Sequence, residues 1–372
     1  MGQLRVLITN ITLGGRTGTE TYVRDLATGL LRCGHQAIVY CPEDGELAQE
    51  LREATVPVWQ SIDENAVPPD VIHGHHHLET MAALFRFPGV PALFVCHDAS
   101  AWHDAPPQHP RIRRYLAVDE PCRDRLVLGH GIAESLVHVV PNAVDLERFR
   151  PRSPLPTRPR RALLFSNYSD KQHVNSVRRV CAQAGIECDV VGAMSGAPTS
   201  EPEALLENYD LVFAKGRCAL EAMAVGAAVV LCGTSGVGPL VTAPELPQLR
   251  LLSFGRRAWR EPFNPDDLAA EIARYDAADA AEVSRQVRAA AGLDILLAEL
   301  IDLYEEMIAE QRAAPRPALN EELAAAAMYV DEWSHQWRDL LHRVSRQKLR
   351  EHRRKLRERS ILGRLFSRKR RR

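Results

Sequence analysis

The segment Leu4–Asn10 (LRVLITN) runs directly into Ile11–Thr19 (ITLGGRTGT), and these two segments decide the fold. The first is a short apolar run, which is typical of a buried parallel strand. The second carries three glycines, and from Glu20 onward apolar residues recur at three- and four-residue steps, the spacing of a helix packed on a sheet. Gly34 is placed to end that helix, and Ala37–Cys41 is a second apolar run. Strand, glycine-rich turn, helix and strand in this order predict a βαβ unit.

The same alternation continues on both sides of a segment rich in proline. Further strands are predicted at Val71–His73, Ala92–Cys96, Tyr115–Val118, His138–Val140, Ala162–Phe165, Cys188–Val191, Leu211–Phe213 and Ala228–Cys232. Residues 151–161 hold four prolines and four arginines and are predicted to be a linker without regular structure. The sequence therefore predicts an α/β protein with two doubly wound, Rossmann-like sheets.

The predicted boundaries follow from these elements. Residues 1–150 form an N-terminal Rossmann-like domain, and residues 162–290 form a second one. A long helix within residues 291–314 is predicted to pack back toward the N-terminal domain. Residues 315–372 form an additional helix and a basic tail, the helix running from Leu319 to about Arg359.

Composition excludes several classes of protein. The longest apolar stretch, Cys218 to Cys232, contains Glu221 and is too short to span a bilayer, and no secretory leader is expected. The eight cysteines are scattered without a CxxC pair, which argues against a zinc ribbon or a disulfide framework. A cytoplasmic protein with reduced thiols is predicted.

Charge is distributed unevenly along the chain. The net charge is −1, but residues 343–372 carry a net charge of +13 and the remainder −14. An asymmetry of this kind concerns binding partners rather than the fold.

The glycine-rich loop is the first candidate site. Ligands of open α/β sheets bind beyond the carboxyl ends of the strands, where glycines such as Gly15 and Gly18 let backbone N–H groups approach a phosphate. The alternative is a plain tight turn. The spacing does not fit the dinucleotide motif GxGxxG, which disfavours a dehydrogenase.

Histidines at two predicted strand ends are the second candidate. His73, His75, His76 and His77 lie within five residues, but without a neighbouring carboxylate or cysteine they are predicted to line a cleft rather than to bind metal. His97-Asp98 follows the strand Ala92–Cys96, where an imidazole would orient an acceptor hydroxyl, the alternative being a structural histidine.

The third candidate is the segment Lys215–Gly226 (KGRCALEAMAVG), in which a strand runs into a glycine and then a helix. Free N–H groups near Gly216, flanked by Lys215 and Arg217, would hold a diphosphate. Glu221 is an acid among apolar neighbours and would accept hydrogen bonds from ribose hydroxyls. The alternative is a helix with one surface acid.

Taken in order, these segments resemble the family 4 glycosyltransferases of the GT-B fold. The matching stretches are Gly18–Val23, Leu26–His35, Pro69–His73, Val95–Asp98, Val140–Phe149 and Leu220–Gly226 with Val229-Val230. The resemblance covers about residues 4–310. It implies two facing Rossmann-like domains, a nucleotide-sugar donor on the C-terminal one, and an acceptor on the N-terminal one.

The resemblance also implies a reaction and residue roles. A retaining, metal-independent hexosyltransferase without a cofactor is implied. His97 would lie near sugar and acceptor, with His73, His75 and Asp98 on the acceptor side. Gly15, Gly18 and Gly216 would approach the phosphates, and Glu221 would bind the ribose.

The sequence departs from the family pattern at three places. The family usually has a second Glu eight positions before Glu221, where this chain has Phe213. Asn167 stands near an expected Arg, while Lys171 matches an expected Lys. The usual Asn-Gly of the interdomain turn is Asn142-Ala143 here. Lys215 and Arg217 are predicted to supply the missing phosphate-binding cation. The alternatives are a sugar-nucleotide epimerase of the same fold and a catalytically inactive scaffold protein.

The basic tail allows three interpretations. A helix with apolar residues Leu349, Leu356, Ile361, Leu362, Leu365 and Phe366 would lie on anionic lipid, bind nucleic acid, or be a solvated or coiled-coil segment. The first is preferred, with a glycan or lipid-linked acceptor and peripheral association with the inner face of the membrane; no specific nucleic acid is expected.

Overall fold

The computed structural model describes residues 2–63, 67–197, 199–313 and 319–369, with the side chains of residues 347 and 349–369 left out of the description. The chain divides into two compact units. One comprises residues 1–106 and 111–316, and the other residues 107–110 and 317–372. Both predicted sheets lie in the first unit.

The N-terminal lobe is built on a seven-stranded sheet in which all neighbouring strands are parallel. Its strand order is β3-β2-β1-β4-β5-β6-β7, the doubly wound arrangement. The strands are β1 Arg5–Thr9, β2 Gln36–Tyr40, β3 Val58–Trp59, β4 Val71–His75, β5 Ala92–Cys96, β6 Ile112–Ala117 and β7 Val137–Val139. The central strands β4 and β5 are buried along their whole length. The apolar run of β5 predicts this, whereas β4 buries His73 and His75 as well.

The helices of this lobe connect successive strands. They are α1 Gly18–Arg32, α2 Glu46–Glu53, α3 His77–Arg86 and α4 Glu120–Asp124. Helix α1 begins at a capping box, in which Glu20 reaches back to the N–H of Thr17 at 2.8 Å. Its apolar residues Val23, Leu26 and Leu30 are buried, which confirms the face predicted from their spacing.

The C-terminal lobe is built on a five-stranded sheet of order β12-β11-β10-β8-β9, parallel except for the pairing of β12 with β11. Its strands are β8 Arg161–Phe165, β9 Glu187–Val191, β10 Leu211–Ala214, β11 Ala228–Gly233 and β12 Gly236–Leu240. Its helices are α5 Lys171–Gln183, α6 Pro202–Leu206, α7 Gly216–Val225, α8 Leu246–Leu251, α9 Pro265–Ala273 and α10 Ala277–Ala290. Residues 151–160 before β8 contain no helix or strand. The predicted fold class is confirmed.

Helix α11, Leu293–Ala313, follows the second sheet but lies against the N-terminal lobe. Leu297 fills the space beside Gly29 of α1, where an added Cβ would lie 2.6 Å from the leucine Cδ1. Tyr304 is fully buried, and its hydroxyl lies 2.5 Å from Nδ1 of His73 on β4. This helix therefore ties the end of the second sheet to the centre of the first.

The other unit contains the single long helix α12, Leu319–Lys369. It extends beyond the predicted end near Arg359. The apolar side chains predicted to meet lipid, from Leu349 onward, and residues 370–372 of the basic tail lie outside the described part. Among the helices that are described, none combines the length and the apolar character that crossing a bilayer requires.

Candidate functional site

Four aromatic rings form a cluster where β4 and β5 end, three of them buried and the fourth, His97, partly exposed. His73 and His75 alternate along β4 and therefore share one face of the sheet, while His97 directly follows β5. Nε2 of His97 lies 2.8 Å from Nδ1 of His75. Tyr22 of α1 meets both rings edge-on, at centroid distances of 5.3 Å from His75 and 4.9 Å from His97.

This cluster is electrically neutral at physiological pH. Burial lowers the pKa of His73 to about 3 and that of His97 to about 3, with neighbouring positive charge adding to the shift in each. Burial also holds the pKa of His75 well below its usual value. Each of the three imidazoles therefore carries one proton, on one of its two nitrogens.

The acceptor contacts predicted for His73 and His75 do not fit their positions. Both side chains are completely buried, so neither reaches the surface of a cleft in this structure. His97 is partly exposed and keeps its predicted place at a strand end. Asp98 is exposed, and its Oδ1 accepts hydrogen bonds from the N–H groups of Ser100 and Ala101, so that it orders its own loop.

Among the described residues, His76, His103 and Asp104 bring ligand-type atoms within 4.8 Å of one another. However, Nδ1 of His76 accepts a hydrogen bond from the N–H of Ile11 at 3.0 Å. A neutral ring that accepts at Nδ1 carries its proton at Nε2, and a metal ligand must be unprotonated. This hydrogen bond argues against a metal at His76. That the site needs no metal stays a prediction.

In the C-terminal lobe, strand β10 passes into helix α7 through the single residue Lys215. Gly216 adopts φ +55°, a left-handed conformation in which a side chain would be strained. Phe213 is on β10 and is completely buried in the core of this lobe. The position where the family usually has a second Glu is therefore inside the sheet rather than in a loop that could reach a sugar.

Arg217, in the first turn of α7, bridges the two lobes. Its Nε donates to Oε1 of Glu221 at 2.8 Å, and its Nη2 donates to Oδ2 of Asp25 on α1. All three side chains are less than 10% exposed. Burial opposes the charge on Arg217, but the two carboxylates outweigh it and raise the pKa of the guanidinium.

The two acids respond differently to this shared cation. Burial raises the pKa of Glu221, although Arg217 partly offsets the rise. For Asp25, burial is outweighed by Arg217 and Arg24, and the pKa of the carboxyl is lowered. Arg148 joins the network by pairing with Asp25 at 3.8 Å and with Glu203 at 2.8 Å. Asp25 is thus the ionised centre of the network.

The glycine-rich loop already binds a carboxylate of its own chain. Oε1 of Glu20 accepts the N–H of Gly15 at 2.8 Å, and Oε2 accepts that of Thr17. An external phosphate at Gly15 would have to displace Glu20, which the sequence analysis did not anticipate. Gly18 is exposed and has nothing within 4 Å of the position of a Cβ, so a ligand has room there.

The remaining predicted donor residues lie around the loop after β8. The ammonium of Lys215 lies over the rings of Tyr168 and Trp259, at 5.1 and 5.7 Å. Asn167 uses its side-chain oxygen to hold the N–H of Ala193 at 3.0 Å, which places it as a loop-ordering residue. Lys171 is exposed at the first position of α5.

A polar cavity of about 850 Å³ lies on the far side of Asp25, between α1, α2 and the start of α6. It is lined mainly by charged side chains, among them Arg16, Arg24, Glu50 and Arg148. Neither His97 nor Gly216 lines it. The cavity is therefore separate from the group of residues predicted to act on the donor.

Helix α1 connects His97 of one lobe with the α7 start of the other. Its Tyr22 ring meets His97 at a centroid distance of 4.9 Å, and its Asp25, one turn later, pairs with Arg217. Sequence reasoning missed Tyr22 and Asp25, which complete this arrangement. A signal was present, because Gly18, Tyr22, Asp25 and Gly29 recur at helical spacing on one face of α1.

The chain is similar to known glycosyltransferases in part of its sequence and in its fold. Residues 53–148 match the profile of Glycosyltransferase Family 4. Curated protein sequences gave no match. A glycosyltransferase from Rickettsia africae is similar in structure, with 14% identity and a TM-score of 0.59 over 83% of this chain and 99% of that one.

The HepE protein of Anabaena is similar as well. Its structure in complex with UDP-glucose has 16% identity and a TM-score of 0.60, covering 81% of this chain and 100% of that one. Its complex with UDP has 14% identity and a TM-score of 0.61, covering 82% and 100%. At such low identity these similarities establish the fold. Together with the profile match, they confirm the predicted resemblance of this chain to a family 4 glycosyltransferase of the GT-B fold.

Proposed function

We propose that this protein transfers a sugar from a nucleotide-sugar donor to an acceptor hydroxyl. The observation that carries the proposal is that helix α1 contacts both His97, at the carboxyl end of β5, and Arg217, in the first turn of α7 from the opposite lobe. Ligands of doubly wound sheets bind at this edge. The match to Glycosyltransferase Family 4 and the similarity to HepE, whose structure was determined with UDP-glucose, support the same reaction.

The start of α7 supplies the electrostatics that the reaction needs. Breaking a sugar–phosphate bond leaves negative charge on the diphosphate. The first N–H groups of a helix have no partner within it, and they carry the positive end of the helix dipole. The N–H of Gly216 donates a long hydrogen bond, 3.5 Å, to the carbonyl of Phe254, which a ligand would have to replace. We assign the diphosphate to the N–H groups of the α7 start at Gly216 and Arg217, with Gly18 approaching from α1.

Glu221 is assigned to the ribose. Its Oε1 is held by Arg217, and we assign Oε2 to a ribose hydroxyl. Arg217 then acts as a positioning residue for Glu221, in addition to the phosphate role predicted for it. Lys215 supplies the second positive charge beside the phosphates.

Calorimetric titration with UDP-glucose and a panel of other nucleotide sugars tests the donor site. Glu221→Gln is expected to weaken donor binding by about 1.5–3 kcal/mol, because a charged acceptor for the ribose hydroxyl is lost. The exposed Glu207→Gln, at the end of α6, serves as the control and leaves binding unchanged. If the unmodified protein binds no nucleotide sugar, the inactive-scaffold alternative replaces the transferase.

The finer features of the reaction are proposed as well. We propose that the sugar is a hexose, that its anomeric configuration is retained, and that no metal takes part. Donor turnover would then proceed undiminished in EDTA, and the anomeric proton of the product, followed by NMR, would keep the coupling of the donor. Loss of turnover in EDTA, or inversion, contradicts the corresponding feature.

We propose further that the basic segment 343–372 associates with an anionic membrane from the cytoplasmic side. Its net charge of +13 supports electrostatic attraction to anionic lipid. Flotation with vesicles containing phosphatidylserine compares the full chain with a chain truncated after Leu341. Equal flotation of the two contradicts the proposal.

A further inference from the structure

The hydrogen bond between His75 and His97 has a direction that can be determined. It joins Nδ1 of His75 to Nε2 of His97 at 2.8 Å, and both rings are neutral. One ring must donate and the other accept, which leaves two arrangements. They differ in which nitrogen of His97 carries its proton.

The surroundings of His75 decide between these arrangements. Its other nitrogen, Nε2, is buried and has no hydrogen-bond partner among the described residues. If His97 donated, Nε2 of His75 would carry a buried N–H with no acceptor. If His75 donates from Nδ1, its Nε2 is only an unused lone pair. Buried donors without a partner are rarer in proteins than under-satisfied acceptors, so the second arrangement is favoured.

We propose that His75 is a positioning residue that donates from Nδ1 to His97 and thereby fixes the proton of His97 on Nδ1. His97 then presents an N–H donor to its ligand and does not act as a base. The atom it meets must be a hydrogen-bond acceptor, such as a hydroxyl oxygen of the sugar or the acceptor. That last step rests on the proposed function; the tautomer does not.

The rest of the cluster keeps His75 in this role. His73 packs beside it at a centroid distance of 4.7 Å, and Tyr304 in turn holds His73. The edge of the Tyr22 ring closes the opposite side. Because His75 is completely buried, no water replaces its donor at His97 without opening the sheet end.

The test is the tautomer of His97 in the full-length protein, read by two-dimensional ¹H–¹⁵N multiple-bond NMR after labelling with ¹⁵N-histidine. Loss of signals in His97→Gln identifies the ring. The unmodified protein is expected to show a protonated Nδ1 and a bare Nε2. A protonated Nε2 on His97 overturns the proposal.

Two substitutions at His75 test whether its hydrogen-bond donor sets the tautomer of His97. In His75→Leu the donor is lost, and His97 is expected to change to the Nε2–H form that free neutral histidine prefers. In His75→Asn the amide Nδ2 replaces the ring Nδ1 as donor, and the original tautomer is expected to be retained. An unchanged tautomer in His75→Leu contradicts the proposal.

Controls separate this result from folding and from the proposed function. The exposed His138→Asn, on β7, is expected to leave the His97 signals unchanged. Should His75→Leu fail to fold, the unmodified protein and His75→Asn still decide the question. The tautomer is measured without a substrate, whereas failure of the transferase assignment would appear only in the donor titration.

Discussion

At the scale of single residues, burial determines the chemistry more than residue type does. The sequence placed His97 correctly at a strand end, because a polar residue after an apolar run marks the mouth of a parallel sheet. It did not reveal that His73 and His75 are covered. Their covering comes from Tyr304 and Tyr22, which are distant in sequence, and no local pattern predicts such contacts.

A pH-dependent stability prediction belongs to Asp104. Its carboxyl is buried, which raises its pKa from 3.8 to about 7. The pKa of Asp104 is higher in the folded protein than in the unfolded chain. The stability that the neutral carboxyl contributes is therefore complete below about pH 4 and is lost as the pH rises through 7. Asp104→Asn does not titrate, so its free energy of unfolding relative to the unmodified protein should rise by roughly 2–3 kcal/mol between pH 5 and pH 8.

Urea unfolding at the two pH values measures this difference. Asn keeps an oxygen that accepts the N–H of His97, which Asp104 accepts at 3.3 Å, so the local geometry is preserved. The exposed Asp63→Asn is the control and should show no such dependence. If the difference in free energy of unfolding between Asp104→Asn and the unmodified protein is the same at both pH values, Asp104 is not neutral.

At the scale of elements, long apolar-periodic segments were predicted well and short edge elements were not. Helix α7 and the strands on either side of it were found because their apolar runs are continuous. Helix α2 and strands β3 and β12 are not predicted from the sequence. Strand β12 (GVGPL) is the antiparallel edge of its sheet and contains two glycines and a proline, which local propensity disfavours in strands.

The docking of α11 on the first sheet gives an element-scale prediction. Tyr304→Phe removes the hydroxyl that pairs with Nδ1 of His73 in a fully buried position. Because a buried polar atom is then left unpaired, the loss of stability should be about 1–3 kcal/mol. Thermal unfolding measures it, with the exposed Tyr168→Phe as the control expected to change little. Equal melting temperatures for the two variants would mean that the hydrogen bond between Tyr304 and His73 does not stabilise the packing of α11 on the first sheet.

At the scale of the whole molecule, the two sheets agree with the sequence prediction. The contacts that join the two lobes were not predicted. A linker at residues 151–161 is predicted from its prolines, and residues 151–160 contain no helix or strand, while Arg161 already belongs to β8. The buried network of Asp25, Arg217 and Glu221 was not predicted, since Asp25 and Arg217 are 192 positions apart. Charge pairing at that separation depends on how the two sheets meet, and sequence periodicity carries no information about it.

The network predicts how the lobes separate. Arg217→Met leaves Glu221 buried without its cation and breaks the pair with Asp25 across the lobes. Asp25 itself keeps Arg24 and Arg148. Removing one partner of a buried pair costs about 3–5 kcal/mol. We expect the N- and C-terminal lobes to move apart, which small-angle X-ray scattering would show as a larger radius of gyration. Adding Glu221→Gln to Arg217→Met neutralises the unpaired carboxylate and should restore part of the compact form.

The chain offers a matched control for this variant. Arg257 of the C-terminal lobe pairs with Asp124 of the N-terminal lobe at 2.6 Å, but the two side chains are 49% and 32% exposed, against less than 10% in the Arg217 network. Exposed pairs contribute about 0–1 kcal/mol, so Arg257→Met should leave the scattering unchanged. Similar curves for the two variants would mean that Arg217 does not hold the lobes together.

The one-residue passage from β10 into α7 has a consequence for evolution and engineering of selectivity. With Lys215 alone between strand and helix, this connection has no spare chain with which to read the hydroxyl pattern of the proposed donor sugar. Discrimination between epimeric sugars would then fall to other loops. Exchange of this connection with that of a homologue of equal length should therefore leave sugar preference unchanged.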